Sequence, residues 1–152
     1  MRPTQIPSGL LLAQTAKKAS RAFHDALSSE GGSQPVWLIL MTLIRNGEQS
    51  QSDLALAVGI QGPTLTHHLN AMEGKGLLTR TRMPDNRRVH IVGLTMSGGE
   101  MFHRLRGVAQ AHDARLRDGI GQAELDDLRR LLHALSNNLE KPLPTLAGQT
   151  AG

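Results

Sequence analysis

Apolar residues recur along much of this chain at steps of three and four, the spacing typical of helices with one buried face. Between residues 77 and 94 the pattern changes to branched apolar residues that suit two short strands. The predicted helices are 8–29, Pro35–Asn46, two short helices within 50–78, one that begins at Thr95, and a last helix over 122–139. The chain is therefore expected to be mainly α-helical (α+β), with one small hairpin.

The two short helices within residues 50–78 are joined by a tight turn. Ser50, with Asp53 three residues later, resembles a capping box that opens the first of them. Gly59 stands where the turn needs a left-handed residue, and Pro63 lies at the start of the second helix. The second helix carries its apolar residues on one face: Leu65, Leu69 and Met72. Two short helices joined in this way predict a helix-turn-helix.

Positive charge is concentrated around the hairpin. Residues 61–106 hold seven basic and three acidic residues, whereas the rest of the chain holds ten of each. Four arginines lie on the two sides of a Pro-Asp-Asn break: Arg80, Arg82, Arg87 and Arg88. A solvated charged face is one explanation. Because the remainder of the chain is neutral, a polyanion-binding site is the better one.

A helix-turn-helix followed directly by a hairpin predicts a winged helix. In such folds the second helix enters the major groove of DNA, and the hairpin, called the wing, contacts the backbone or the minor groove. We therefore expect a recognition helix over 63–74 and a wing over 77–94. The alternative is a winged helix that serves as a protein–protein interaction adaptor without DNA binding. RNA binding is a third option, disfavoured because the few aromatic residues fall on predicted core faces.

The polar side of the recognition helix carries the candidates for contact with bases. The predicted DNA-binding residues of this segment are Gln61, Pro63, Thr64, Thr66, His67 and Asn70. The carboxamide of Asn70 suits adenine, because an amide can donate and accept at the same base edge. The methyl group of a threonine suits that of thymine.

Composition excludes several other classes of function. The chain has no cysteine, so disulfides and thiolate metal sites are excluded, and a reducing cytoplasm is the expected location. No apolar run is long enough for a signal sequence or a membrane span. His67 and His68 are adjacent on a helix and diverge by about 100°, so they do not share a metal ion. No phosphate loop or catalytic triad order is present. We expect no metal, no cofactor and no enzymatic activity.

The wing sequence GLLTRTRMPDNRRVHIVGLTMSG resembles that of the MarR (multiple antibiotic resistance regulator) family. The family pattern runs Gly-Leu-(Val/Ile)-x-Arg, then Asp-x-Arg, then Leu-Thr-x-x-Gly. In this chain the three motifs are Gly76-Leu77-Leu78 with Arg80, Asp85 with Arg87, and Leu94-Thr95 with Gly98. The resemblance spans about residues 8–140 and implies a winged helix-turn-helix with N- and C-terminal dimerisation helices.

The same resemblance implies how the chain is divided. Residues 8–140 would form a single unit in which a winged helix lobe, 35–97, lies between the dimerisation regions 8–30 and 99–140. A flexible tail, 141–152, would follow. The terminal apolar stripes need a partner, and a two-fold homodimer is the simplest closed solution. Such a dimer places two recognition helices about one turn of DNA apart, so the operator is expected to be a pseudo-palindrome.

Roles for the wing residues also follow from the resemblance. Arg87 would enter the minor groove, and Asp85 would orient it through a charge-assisted hydrogen bond. Alternatively, Asp85 is a simple Asx-turn residue beside Pro84. Arg80, Arg82 and Arg88 would contact phosphates. The family often has arginine where this chain has His67.

Members of the family commonly bind small aromatic or phenolic ligands between the DNA-binding lobe and the dimerisation helices. The resemblance therefore implies a repressor that is released from double-stranded DNA by such an effector. The candidate lining residues are Phe23, His24, Trp37, Met41, Met101 and Leu105. The alternative is that these residues simply form core.

Overall fold

The computed structural model describes residues 5–143 as a chain of helices with one small sheet. Its elements are α1 Ser8–Ser29, α2 Gln34–Asn46, β1 Gln49–Ser50, α3 Gln51–Val58, α4 Gly62–Gly74, β2 Leu78–Arg82, β3 His90–Leu94, α5 Met96–Arg117 and α6 Gln122–Leu139. The predicted mainly α-helical fold with a hairpin is confirmed, and the helices predicted over 8–29 and 122–139 have those bounds. From residue 144 onward, the predicted tail lies outside the described residues.

The chain divides into two compact units, one up to Leu116 and one from Arg117 onward. The first unit contains the winged helix and a core built almost entirely of aliphatic side chains. Its fully or nearly fully buried members are Leu27, Ile39, Leu40, Leu43, Leu54, Leu65, Leu69, Met72, Leu78, Val92, Met101, Phe102 and Leu105. The inward face predicted for the second helix of the helix-turn-helix is thereby confirmed, because its three apolar residues are all in this core.

The helix-turn-helix has the predicted N-cap and turn glycine, but within residues 5–143 the side chain of Asp53 does not complete the predicted capping box. The hydroxyl of Ser50 accepts a hydrogen bond from the backbone N–H of Asp53 at 3.1 Å, which caps α3. Gly59 has φ 68° and ψ 29°, the left-handed conformation that ends α3 and redirects the chain into α4. Ser50 therefore fixes where α3 begins, and Gly59 fixes where it ends and turns toward α4.

The sheet has three antiparallel strands in the order β1-β3-β2. β2 and β3 form the wing, with Leu78 opposite Leu94 at its base and Arg82 opposite His90 toward its tip. β1 was not predicted and consists of two residues that pair with β3. It therefore joins the wing to the segment between α2 and α3.

The start of α5 is packed tightly against the loop that precedes the wing. The Thr95 hydroxyl accepts a hydrogen bond from the N–H of Gly98 at 3.0 Å and donates one to the carbonyl of Gly76 at 2.6 Å. Thr95 is thus the N-cap that the sequence predicts. A Cβ atom at Gly98 would lie 2.0 Å from the carbonyl oxygen of Leu77, so only glycine fits there without a shift.

Helices α1 and α6 each leave large apolar side chains exposed. Those near the start of α1 are Ile6, Leu10, Leu11 and Leu12, and those of α6 are Leu128, Leu131, Leu132, Leu135 and Leu139. Exposed apolar residues at helical spacing are typical of a face that another protein surface covers. None of the helices within residues 5–143 is both long and apolar enough to cross a membrane.

Candidate nucleic-acid interface

Helix α4 presents a polar face on the side opposite its buried leucines. The exposed residues on that face are Pro63, Thr64, His67 and Asn70. Gln61 is exposed at the N-cap and makes no capping hydrogen bond through its side chain. The ring of His67 lies edge-on to that of His68, with centroids 5.7 Å apart. These predicted DNA-binding residues therefore share one solvent-facing surface.

Thr66, also predicted to contact DNA, is half-buried and engaged within the protein. Its hydroxyl donates to the carbonyl of Gly62 at 3.0 Å and accepts from Nε2 of Gln51 at 2.7 Å. The second bond joins α3 to α4. The sequence pattern did not single out Gln51, because its partner lies fifteen residues away.

Arg80 connects the wing to the recognition helix. Its Nε and Nη2 atoms donate to Oε2 of Glu73 at 3.0 and 2.6 Å, and Nη2 also donates to Oδ1 of Asn70. The Arg80 side chain is 18% exposed and that of Glu73 39% exposed. The expected phosphate contact therefore competes with an ion pair that largely offsets the charge of Arg80. Glu73 was not predicted as part of this surface.

The other three wing arginines, Arg82, Arg87 and Arg88, are exposed. Within residues 5–143 their guanidinium groups have no hydrogen-bond or ion-pair partner. The tip that carries them is held by backbone bonds from Met83 to Val89 at 3.0 Å and from Val89 to the Asn86 carbonyl at 3.0 Å. Three uncompensated positive charges thus project from an ordered hairpin.

Asp85 does not make the orienting contact expected of it. In the described part of the chain its carboxylate forms no hydrogen bond or ion pair with Arg87 or with another residue. The Asx-turn role, considered as its alternative, belongs to Asn86, whose Oδ1 accepts from the N–H of Arg88 at 3.2 Å. The neighbouring carboxamide is the group that stabilises this turn, so the Asp85 side chain stays in solvent.

A cleft of about 770 Å³ lies between the helix-turn-helix and the wing. Its walls are formed by α3, by the first turn of α4 and by the start of β3. The residues that line it are Gln51, Ser52, Ala55, Leu56, Gly59, Ile60, Gln61, Gly62, Thr66, Arg88, Val89 and His90. The helix-turn-helix and the wing thus border a concave surface on which, among residues 5–143, Arg88 is the one arginine.

A separate cavity of about 350 Å³ lies between α2 and α5. Trp37 and Met41, both predicted to line a ligand pocket, contribute to it, together with Phe102 and Arg106. The rings of Trp37 and Phe102 are stacked, with centroids 5.4 Å apart and planes inclined by 4°. Arg106 is exposed and has no hydrogen-bond or ion-pair partner among residues 5–143.

The remaining predicted ligand residues lie elsewhere. Met101 and Leu105 are 5% and 0% exposed and belong to the core. Phe23 stacks on His112 with ring centroids 4.9 Å apart, and His24 is exposed beside Ser28. Phe102 and Arg106 are four residues apart and therefore share a face of α5. That spacing was the signal that could have identified them.

Comparisons with known proteins cover most of the chain. The sequence model of the MarR family matches residues 33–90. The transcriptional repressor CouR bound to a 23-mer DNA duplex is 28% identical, with a TM-score of 0.77, over 85% of this chain and 92% of CouR. CouR bound to p-coumaroyl-CoA is 27% identical to this chain, with a TM-score of 0.73. The match covers 85% of this chain and 91% of CouR. A mutant MarR from E. coli complexed with operator DNA shares the fold, at 21% identity and a TM-score of 0.76. The match covers 86% of this chain and 94% of that MarR chain.

Proposed function

We propose that this chain is a winged-helix transcriptional regulator of the MarR family, acting as a dimeric, sequence-specific repressor that a small ligand releases from DNA. The single observation that carries the proposal is the wing tip, where three exposed arginines lack partners in residues 5–143. An ordered hairpin with uncompensated guanidinium groups suits phosphates and the minor groove. The comparisons give no support to the protein–protein adaptor.

We expect helix α4 and the wing arginines to contact different parts of the DNA. The exposed face of α4 reads base edges in the major groove, while Arg87 enters the minor groove and Arg82 and Arg88 contact phosphates. Sequence information comes mainly from α4, because phosphate contacts fix position without reading bases. The protein would act in the cytoplasm, where its DNA target lies.

Hydroxyl-radical footprinting of the DNA upstream of the protein's own gene tests the proposal. We expect protected backbone segments arranged with two-fold symmetry, with centres about one helical turn apart. An unrelated duplex of equal length serves as the control. Equal protection of the two duplexes, or no protection of the upstream DNA, would contradict sequence-specific binding at this location.

The homodimer is supported by the exposed leucines of α6. Leu132 and Leu135 are each 41% exposed, and they lie on one side of the helix. The double variant Leu132→Glu/Leu135→Glu is expected to shift the protein from dimer to monomer in sedimentation velocity, because it places charge in an apolar interface.

Asn137 provides the control. It lies nine residues after Leu128, which places it about 180° around the helix from the exposed leucines. Asn137→Glu should remain dimeric, and a dimeric double variant would refute the role of this face.

The cavity beside Trp37 is the proposed effector site. Its stacked aromatic rings suit a planar ligand, and the Arg106 guanidinium suits a carboxylate or phenolate on that ligand. CouR, a similar protein, has been seen with p-coumaroyl-CoA bound. A small aromatic acid, or such an acid carried on a larger group, is therefore the proposed class of effector.

Trp37 is the only tryptophan of the chain and so reports on this cavity directly. Titration with p-coumaroyl-CoA and, separately, with p-coumarate is expected to quench its fluorescence to saturation with at least one of the two. Arg106→Gln should weaken that binding by about tenfold or more, since it removes a charge-assisted hydrogen bond. Arg104→Gln is the matched control, because Arg104 is exposed on α5 but does not line the cavity. Equal weakening by both substitutions, or no saturable quenching, would count against this site.

A further inference from the structure

The carboxamide of Asn70 has a fixed orientation. Its Oδ1 atom accepts a hydrogen bond from Nη2 of Arg80. A guanidinium group only donates, so the amide atom that faces it must be the oxygen. The other branch of the amide, the NH₂ group with its two N–H donors, is the part left for an external partner. Asn70 is exposed on the polar face of α4.

Arg80 is itself held in place. Two of its nitrogens donate to the same oxygen of Glu73, at 3.0 and 2.6 Å, and only 18% of its side chain is exposed. Glu73 and Asn70 both belong to α4, whereas Arg80 belongs to β2. The carboxylate therefore fixes the guanidinium, and the guanidinium fixes the amide, across the junction between wing and recognition helix.

We propose that Arg80 is a positioning residue that presents Asn70 to DNA as a hydrogen-bond donor, so that Asn70 selects guanine. This inference rests on the proposed function and replaces the adenine contact expected from the sequence. Selection of adenine by asparagine requires Oδ1 to accept from N6 while Nδ2 donates to N7. In that geometry Oδ1 must turn toward N6, so its hydrogen bond with Nη2 of Arg80 is weakened or lost while Arg80 stays held by Glu73.

The four bases differ in how they meet an outward NH₂ group. Guanine presents two adjacent acceptors, O6 and N7, in the major groove, and thymine presents one, O4. Adenine and cytosine place an exocyclic amino donor at this edge, which opposes a second donor. Guanine is therefore favoured. A discrimination of about 5- to 150-fold against adenine is expected, as for other specific base contacts.

Selection of duplexes from a randomised library tests this inference, with binding then measured by fluorescence anisotropy on the selected sequence. The wild-type protein should select guanine at one position of each half-site, and Asn70→Ala should remove the preference at that position alone. Arg80→Met keeps a long side chain but supplies no donor. It frees Oδ1 of Asn70, so the preference at the same position should move from guanine toward adenine.

Asn70→Asp provides a second, opposite change. One carboxylate oxygen still pairs with Arg80 while the other faces DNA as an acceptor, so the preference should move toward cytosine, whose N4 amino group donates. Arg82→Met is the matched control on the same strand. Arg82 is exposed and, among residues 5–143, its side chain forms no hydrogen bond or ion pair with Asn70 or Glu73, so its replacement should weaken binding to all sequences without changing any base preference.

Two kinds of failure can be told apart. If the wild-type protein enriches no sequence, the proposed function fails and this inference with it. If selection succeeds but Arg80→Met keeps guanine at the Asn70 position, only the inference is overturned. A uniform loss of affinity in Arg80→Met with unchanged base preference would assign Arg80 a purely structural role and would also overturn it. Thermal unfolding by circular dichroism establishes that each variant is folded at the assay temperature.

Discussion

Gly98→Ala is expected to lower the free energy of unfolding by about 1–3 kcal/mol, although alanine is the better helix former. The added Cβ atom would lie 2.0 Å from the carbonyl oxygen of Leu77 and 2.6 Å from Cδ1 of Leu94. A leucine side chain can rotate, but the carbonyl belongs to the backbone and also accepts the N–H of Thr95 at 3.2 Å. Relief of the clash must therefore move α5 away from the base of the wing.

Gly99 offers a control for this substitution in the same helical turn. A Cβ atom there would meet nothing within 4 Å. Gly99→Ala should leave stability unchanged or raise it by up to about 1 kcal/mol, from helix propensity alone. Urea denaturation of both variants gives the comparison. Equal stability of Gly98→Ala and wild type would show that the start of α5 is not closely packed on the wing.

Arg87→Ala is expected to weaken binding to the protein's operator by about 1–3 kcal/mol, or about 5- to 150-fold. Its guanidinium is exposed and has no ion-pair partner within residues 5–143, so the substitution breaks no internal ion pair there. The cost comes from a narrow minor groove that no longer holds a cation. Fluorescence anisotropy measures the effect.

Arg104→Ala removes the same charge from α5, outside the wing, and should change the affinity much less than Arg87→Ala. The comparison separates an interaction made at the wing tip from the effect of net charge. Comparable reductions of affinity in the two variants would mean that overall charge, and not a placed guanidinium, determines the affinity.

The helices could be predicted from the sequence because their signals are local. The spacing of Leu65, Leu69 and Met72 fixes which side of α4 is buried, and all three are in the core. Gly59 and Thr95 likewise act through their immediate neighbours, one by its left-handed backbone and the other by capping α5. Such features depend on a few consecutive residues, so the sequence alone identifies them.

Features that depend on residues far apart in the chain were not predictable in the same way. β1 exists only because β3 passes beside it, and two residues carry no periodic signal. Helix propensity alone counts Gly98 as a cost, whereas its packing against Leu77 makes glycine necessary. The choice of Arg80 between phosphate and Glu73 depends on where β2 lies relative to α4.

The cavity beside Trp37 shows how strongly the rotational position of a residue on a helix affects which surface it lines. Met101 and Leu105 were chosen from the apolar stripe of α5, and they point into the core. Phe102 and Arg106, one residue later in each case, line the cavity beside Trp37. One residue corresponds to about 100° around the helix, so the buried ring of Phe102 borders both the core and the cavity, whereas Met101 does not line the cavity.

Binding of DNA by the wing arginines can be measured through the salt dependence of affinity for the duplex upstream of the protein's own gene. Fluorescence anisotropy across a salt series should give a linear fall of log K with log salt. The triple variant Arg82→Gln/Arg87→Gln/Arg88→Gln should reduce the slope by about 0.9 for each phosphate that an arginine no longer neutralises. A wild-type affinity independent of salt, or an unchanged slope in the triple variant, would show that the wing arginines do not bind the phosphate backbone.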